Sequence, residues 1–216
     1  MLRMIITKIG HCCLLIEIAE KKILTDPGSF TTAQNEITDV DIILVTHEHA
    51  DHVHVESLVK VYKKNPQASI VTNTAVAKLL ENSGIAVTIC EGRDSCDIAG
   101  IHIDAFDGKH EEIFGDIGQV QNTGYLIARA LFYPGDSFHA PNVPVDVLAL
   151  PVGGPWCKIA DAVRYALVVK PRIAFPVHDA TVKDAALAFL HRIPTLALSE
   201  NGIEFIVMNA GDTKEF

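Results

Sequence analysis

Between Asp41 and Cys90 the chain alternates short β-branched apolar runs with stretches of helical period, and this rhythm narrows the available folds more than any other feature. Asp41-Ile42-Ile43-Leu44-Val45 predicts a buried strand, and Val55, Leu58, Val59 and Tyr62 fall at i, i+3, i+4 and i+7 of a following helix. Residues 69–72 predict the next strand, Val76, Leu79 and Leu80 a helix stopped at Gly84, and residues 86–90 a further strand. A β-α-β-α-β order implies partly parallel pairing, because helical crossovers join strands that run the same way.

The flanking segments extend the scheme. Residues 4–9, 12–18 and 22–25 read as a meander of short strands. After Cys90, strands are expected over 101–106, 124–128, 130–133 and 145–150, then a helix with Ile159, Ala162, Val163, Ala166 and Leu167 on its apolar face, then a strand over 172–177. Thr181 and Asp184 form a capping-box pattern opening a helix whose expected apolar face is Val182, Ala185, Ala186, Phe189 and Leu190. A strand over 204–207 and a polar tail follow. Two such series predict an α/β fold (α+β in some schemes), a four-layer αββα sandwich of two face-to-face sheets with helices outside. With no linker or low-complexity tract between them, residues 1–216 are expected to form one domain.

Composition agrees with one sizeable core: 49% of the 216 residues are hydrophobic and 21% charged. No uncharged apolar run approaches the ~18–20 residues of a membrane-spanning helix. The Cys12–Ile16 run ends at Glu17 without a small-residue cleavage pattern, so the expected location is cytoplasmic, with no membrane partner. A formal charge of -9 repels phosphate backbones, and no nucleic-acid partner is expected. The five cysteines are odd in number and lack CxxC spacing, which suggests reduced thiols and neither a disulfide framework nor a zinc knuckle.

The chemistry concentrates at His47-Glu48-His49-Ala50-Asp51-His52. With ten histidines and fifteen aspartates in the chain, an H-x-H-x-D-H string arises by composition only about once per thousand such chains. It directly follows the buried 41–45 run and precedes a helix, so its side chains project from a strand's carboxyl end, where open sheets place their sites. Alternate residues His47 and His49 can face one metal while Asp51 and His52 face another. Asp26, His110, Asp136 and His178 each recur at the end of an apolar strand.

In this order the motifs resemble those of the metallo-β-lactamase superfamily: Thr25-Asp26-Pro27-Gly28, the 47–52 cluster, Gly108-Lys109-His110, Tyr133-Pro134-Gly135-Asp136-Ser137 and Phe175-Pro176-Val177-His178. Spacing, Gly10-His11 and Pro151-Val152-Gly153-Gly154 are most similar to the compact branch that includes ascorbate-phosphate lactonase and related metal-dependent hydrolases. The resemblance implies two divalent metal ions, zinc first with manganese or iron as alternatives. It assigns His47, His49 and His110 to one ion, Asp51, His52 and His178 to the other, and Asp136 to both. Asp26 would fix a histidine tautomer, Asp51 would also orient the attacking water, and His139 is a candidate proton donor to the leaving group.

The implied reaction is hydrolysis, in which two cations about 3.5–4 Å apart lower the pKa of a shared water from about 15.7 toward ~7. The expected substrate is a small, anionic lactone, ester or phosphodiester, with Lys109, Arg129 and Lys158 as candidates to meet its charge. An iron-dependent oxidoreductase or a metal-binding module without turnover is the alternative. An RNA-processing nuclease is a weaker one, since the chain has no basic cluster or substrate-arm insertion. Homo-oligomers are common among compact relatives. His11, Trp156 and Cys157 could each reach the pocket, whereas His54, His102 and His191 read as surface residues.

Overall fold

A computed structural model describes residues 3–216. In chain order its elements are β1 (Met4–Gly10), β2 (Cys13–Ile18), β3 (Lys21–Thr25), β4 (Ile42–Leu44), α1 (Val55–Lys64), β5 (Ser69–Thr72), α2 (Thr74–Leu79), β6 (Val87–Ile89) and β7 (Ser95–Ile98). There follow β8 (Ile101–Lys109), β9 (Gln121–Ile127), β10 (Leu131–Tyr133), β11 (Val147–Pro151), α3 (Ile159–Val169), β12 (Ile173–Val177), α4 (Asp184–Ser199), β13 (Glu204–Phe205) and β14 (Thr213–Glu215). The first seven-stranded sheet runs β14-β1-β2-β3-β4-β5-β6 and the second β13-β12-β11-β10-β9-β8-β7. Pairing is parallel from β3 to β6 and from β10 to β13, as the crossovers require.

Three apolar clusters define four layers. Between the sheets, Ile6, Leu14, Ile16 and Leu44 meet Ile103, Tyr125, Val147 and Phe175. Outside the first sheet, Leu24, Ile43 and Ile70 pack on Leu58 and Val61 of α1 and Val76 of α2. Outside the second, Leu126, Leu148 and Ala174 pack on Ala162, Val163 and Ala166 of α3 and Leu198 of α4. Strands β4, β11 and β12 are buried along their whole length because both faces are covered, which is why they read as continuous apolar runs. No helix of the described residues is long and apolar enough to cross a membrane.

The structure departs from expectation in four ways. Helix α4 starts at Asp184 behind Lys183 with no side-chain cap, so the Thr181–Asp184 capping box does not form. Its buried residues are His191, Pro194 and Leu198, whereas Ala185, Ala186 and Phe189 of the expected face are exposed. This helix is apolar nearly all round, so its periodicity selects no face; packing against β13 and α3 does. The polar tail contains β14, which pairs antiparallel with β1, and β7 pairs with β8. Both are edge strands with largely exposed side chains, and such strands lack an apolar signature.

Candidate metal centre

Parallel pairing of β3 with β4, and the matching direction of β8, β10 and β12, bring five strand ends to one edge of the sandwich. The two sheets are tied together there. Thr123 N–H donates to Thr46 O (3.0 Å), and Asn73 Nδ2 donates to the same oxygen (2.8 Å). The loop after β4 is held from the other side: Ser29 N–H donates to Ala50 O and His54 N–H to Pro27 O. Gly28 lies so close that a Cβ there would stand 1.8 Å from Asp51 O, so only glycine fits.

The structure brings His47, His49, His110 and Asp136 together, with one ligand atom of each within 4.8 Å of all the others. A second group on the same terms is His11, Cys12, His52 and His178. Asp136 joins the two groups. Its Oδ2 lies 3.0 Å from His178 Nε2, 3.3 Å from His110 Nε2 and 3.8 Å from His47 Nε2, and its Oδ1 lies 3.1 Å from His52 Nε2. Asp51 Oδ2 stands 3.5 Å from His178 Nε2 and 3.9 Å from His52 Nε2, close to the second group.

The outer nitrogens set the tautomers. His52 Nδ1–H donates to Asp26 Oδ2 (2.7 Å) and His110 Nδ1–H to Glu111 O (2.7 Å). Thr46 Oγ1 donates to Asp26 Oδ2 (2.8 Å) and so can accept from His47 Nδ1–H (3.0 Å). Asp26 is fully buried and also accepts from Thr46 N–H and the Tyr133 hydroxyl, so one carboxylate orients two imidazoles, directly and through Thr46. The inner atoms are left over: His47, His52 and His110 Nε2, both nitrogens of His178, and Asp136 Oδ1 are buried without a hydrogen-bond partner. Orphaned lone-pair atoms that converge, with the protons of His47, His52 and His110 committed outward, fit divalent cations.

Electrostatics point the same way. Burial would raise Asp136, but His52 and His178 outweigh it and hold the carboxyl well below its ordinary range. Burial also pushes Asp51 up, and the hydrogen bond with His11 together with the neighbouring His178 and His52 imidazoles brings it below. Desolvation and neighbouring imidazoles, His52 above all, hold His47 well below the usual histidine value. His52 and His178 are raised despite burial, chiefly by Asp136, so the second group favours positive charge. Three residues of the centre, His11, Asp26 and His178, have left-handed backbone at φ 54°, 36° and 61°.

Several supporting residues carry no spacing signal in the sequence. His11 Nε2 lies 3.1 Å from Asp51 Oδ2 in hydrogen-bonding contact, forty positions away in the chain. The only advance sign was Gly10-His11 at a strand end. Trp156 Nε1–H donates to Asp136 Oδ2 (2.9 Å), and Asn122 Oδ1 accepts from Asp136 N–H (2.9 Å). Cys12 joins the second group; burial pushes its thiol up, and His11, His52 and His178 bring it below its ordinary value. Cys157 turns away, toward Pro151 O.

Other candidates stand elsewhere. His139 is exposed, and its ring makes no hydrogen bond among the described residues. Arg129 lines a separate depression with Phe106 and Val143, at the opposite end of β9 from the centre. His191, expected at the surface, is buried, its Nε2 donating to Asp179 Oδ2 (3.2 Å) beside Lys8 Nζ (2.6 Å). An open cleft of about 270 Å³ reaches the centre, lined by His49, Asp51, His110, Ile113, Trp156 and His178 among others.

A family model described as a beta-lactamase superfamily domain matches residues 5–178. The chain is 36% identical to Protein Rv0786c of Mycobacterium tuberculosis over 182 residues, 82% of this chain and 84% of that one. It is 26% identical to the UPF0173 metal-dependent hydrolase Ta0764 of Thermoplasma acidophilum, over 78% of this chain and 80% of that one. In fold it is similar to Igni18, a metallo hydrolase of Ignicoccus hospitalis, at a TM-score of 0.76 and 20% identity, covering 99% and 98% of the two chains. The αββα layering, the five converging strand ends and these matches lead to one conclusion: the chain belongs to the metallo-β-lactamase superfamily, in its compact UPF0173 branch.

Proposed function

We propose that this protein is a metal-dependent hydrolase that holds two divalent cations and cleaves a small ester, lactone or phosphodiester. The observation that carries the reading is the set of buried, unpartnered nitrogens on His47, His52, His110 and His178 converging on Asp136. His47, His49 and His110 would hold one cation, Asp51, His52 and His178 the other, with Asp136 between them. Nitrogen and carboxylate donors of this kind suit zinc, manganese or iron. When bound, such ions supply a nucleophilic water at neutral pH and polarise the bond that is attacked.

The chain's own residues orient that chemistry. Asp26 fixes the rings of His52 and His47, and Trp156 and Asn122 fix Asp136 from opposite sides. Asp51 is half-buried at the cleft, with His11 holding its Oδ2, and is placed to accept a hydrogen bond from an attacking water and keep it aimed. His139 is exposed and outside the cleft lining, and this reading gives it no part.

Elemental analysis of protein purified without added metal tests the assignment. About two equivalents are expected in wild type, and marked loss in H49A and D136A with circular dichroism unchanged; equal metal in all three would overturn it. Lactones, esters and phosphodiesters assayed with zinc, manganese and iron test hydrolysis, and bound iron with redox activity but no hydrolysis would favour the oxidoreductase alternative.

A further inference from the structure

The segment between β8 and β9 forms one wall of the cleft, and its composition says what passes it. Ile113 lines the cleft beside His49 and His110. The next residues turn back on themselves through a bridge between Phe114 and Ile117, which are 76% and 67% exposed. Gly118 returns the chain to the site: a Cβ there would lie 2.7 Å from Ile113 Cδ1 and 3.8 Å from His49 Cε1. Two large apolar side chains are thus held in water between Ile113, which lines the cleft, and Gly118, which approaches His49, and Trp156 lines the same cleft.

The charged residues within this segment are all acidic. Among the described residues no lysine or arginine lines the cleft, while Glu111, Glu112 and Asp116 belong to the segment at its margin and Glu48 is exposed beside His49. Glu112 Oε1 accepts from Gly115 N–H and Glu111 Oε1 from Phe138 N–H, so both help to shape the segment. Lys109 and Lys158 are exposed outside the cleft. A substrate tail bearing a carboxylate or phosphate would meet carboxylates here; an uncharged hydrocarbon tail would cover Phe114 and Ile117 and remove apolar surface from water.

We propose that Ile113, Phe114 and Ile117, at the cleft that Trp156 also lines, receive an uncharged apolar tail of the substrate, so that the enzyme prefers neutral alkyl or aryl esters or lactones over anionic ones. This rests on the hydrolase reading and replaces the anionic substrate expected from sequence. The test uses metal-loaded protein and 4-nitrophenyl esters. From acetate through butyrate to hexanoate, kcat/KM rises about two- to fourfold per methylene. Mono-4-nitrophenyl adipate, equal in reach to the hexanoate but ending in a carboxylate, is at least about tenfold poorer. F114S/I117S flattens the chain-length series with metal content unchanged, and F189S, on the exposed face of α4, keeps it.

Ester hydrolysis with a flat series, or with the adipate preferred, overturns the proposal and leaves the hydrolase reading standing. Should no ester be cleaved, the hydrolase reading fails separately, and fluorescence of the single tryptophan, Trp156, decides the tail site. N-hexylacetamide is then expected to shift its emission at about tenfold lower concentration than 6-acetamidohexanoate; equal or reversed responses refute the proposal.

Discussion

Replacing Asp26 with asparagine separates the role of the outer hydrogen bonds from that of the ligands themselves. The carboxylate accepts from Thr46 N–H at Oδ1 and from His52 Nδ1–H, Thr46 Oγ1 and Tyr133 OH at Oδ2. An asparagine amide has one acceptor and one donor end. The backbone N–H of Thr46 cannot turn, so the amide oxygen stays on the Oδ1 side and the NH2 faces the three remaining groups. The two hydroxyls can rotate, and Tyr133 retains Cys12 O as an acceptor at 2.7 Å. His52 can respond only by moving its proton from Nδ1 to Nε2, the atom that faces Asp136. A protonated Nε2 cannot ligate.

Loss of such an orienting partner lowers metal affinity about 10–100-fold, or roughly 1.4–2.7 kcal/mol. D26N should therefore fold, bind the first zinc equivalent nearly as wild type, and bind the second about 10–100-fold more weakly in competition with a chromogenic chelator. Imidazole nitrogen NMR of the metal-free protein should show His52 changing tautomer. Wild-type affinity at both equivalents, with His52 protonated on Nδ1, would refute the reasoning.

Other outcomes follow from the same geometry. G28A drives a methyl into the Asp51 carbonyl and should displace the 47–52 loop, costing most of the bound metal while far-UV circular dichroism stays near wild type; full occupancy would contradict it. K8M leaves Asp179 buried without its ammonium partner, which costs about 3 kcal/mol and lowers the melting temperature by about 6–12 °C. Burial pushes Asp179 up, but His191 and Lys8 bring its carboxyl below the ordinary value, so its stabilisation is present above about pH 4 and fades as pH falls through the lower native value. Urea titrations should accordingly show the wild-type advantage over D179N shrinking between pH 6 and 3; a constant gap would be inconsistent. W156F removes the indole donor to Asp136, a charged hydrogen bond of about 1.5–3 kcal/mol, and should weaken metal binding by at least tenfold, as calorimetry would read.

What could be read in advance depended on whether a residue's job was local. The strand ends leading to Asp26, His47, Asp136 and His178 are buried on both faces, so the polar residue beyond each apolar run is visible in one dimension. His11 and Trp156 act on residues 40 and 20 positions away, and only the folded sheets bring those pairs together. Lys8 stands at an inward position of β1, where alternation calls for an apolar side chain, and nothing near it in sequence announces Asp179. Edge strands β7 and β14 needed partners before they looked like strands at all.

The left-handed backbone of His11, Asp26 and His178 carries a further lesson for anyone engineering this scaffold. Each conformation costs a side-chain-bearing residue on the order of 1 kcal/mol that glycine would not incur. At Asp26 that cost is outweighed by the four hydrogen bonds its carboxylate accepts, and at the buried His11 and His178 by the packing of their rings, so glycine at these sites would lose both stability and the centre. Libraries meant to keep turnover should hold the three positions constant and seek robustness elsewhere.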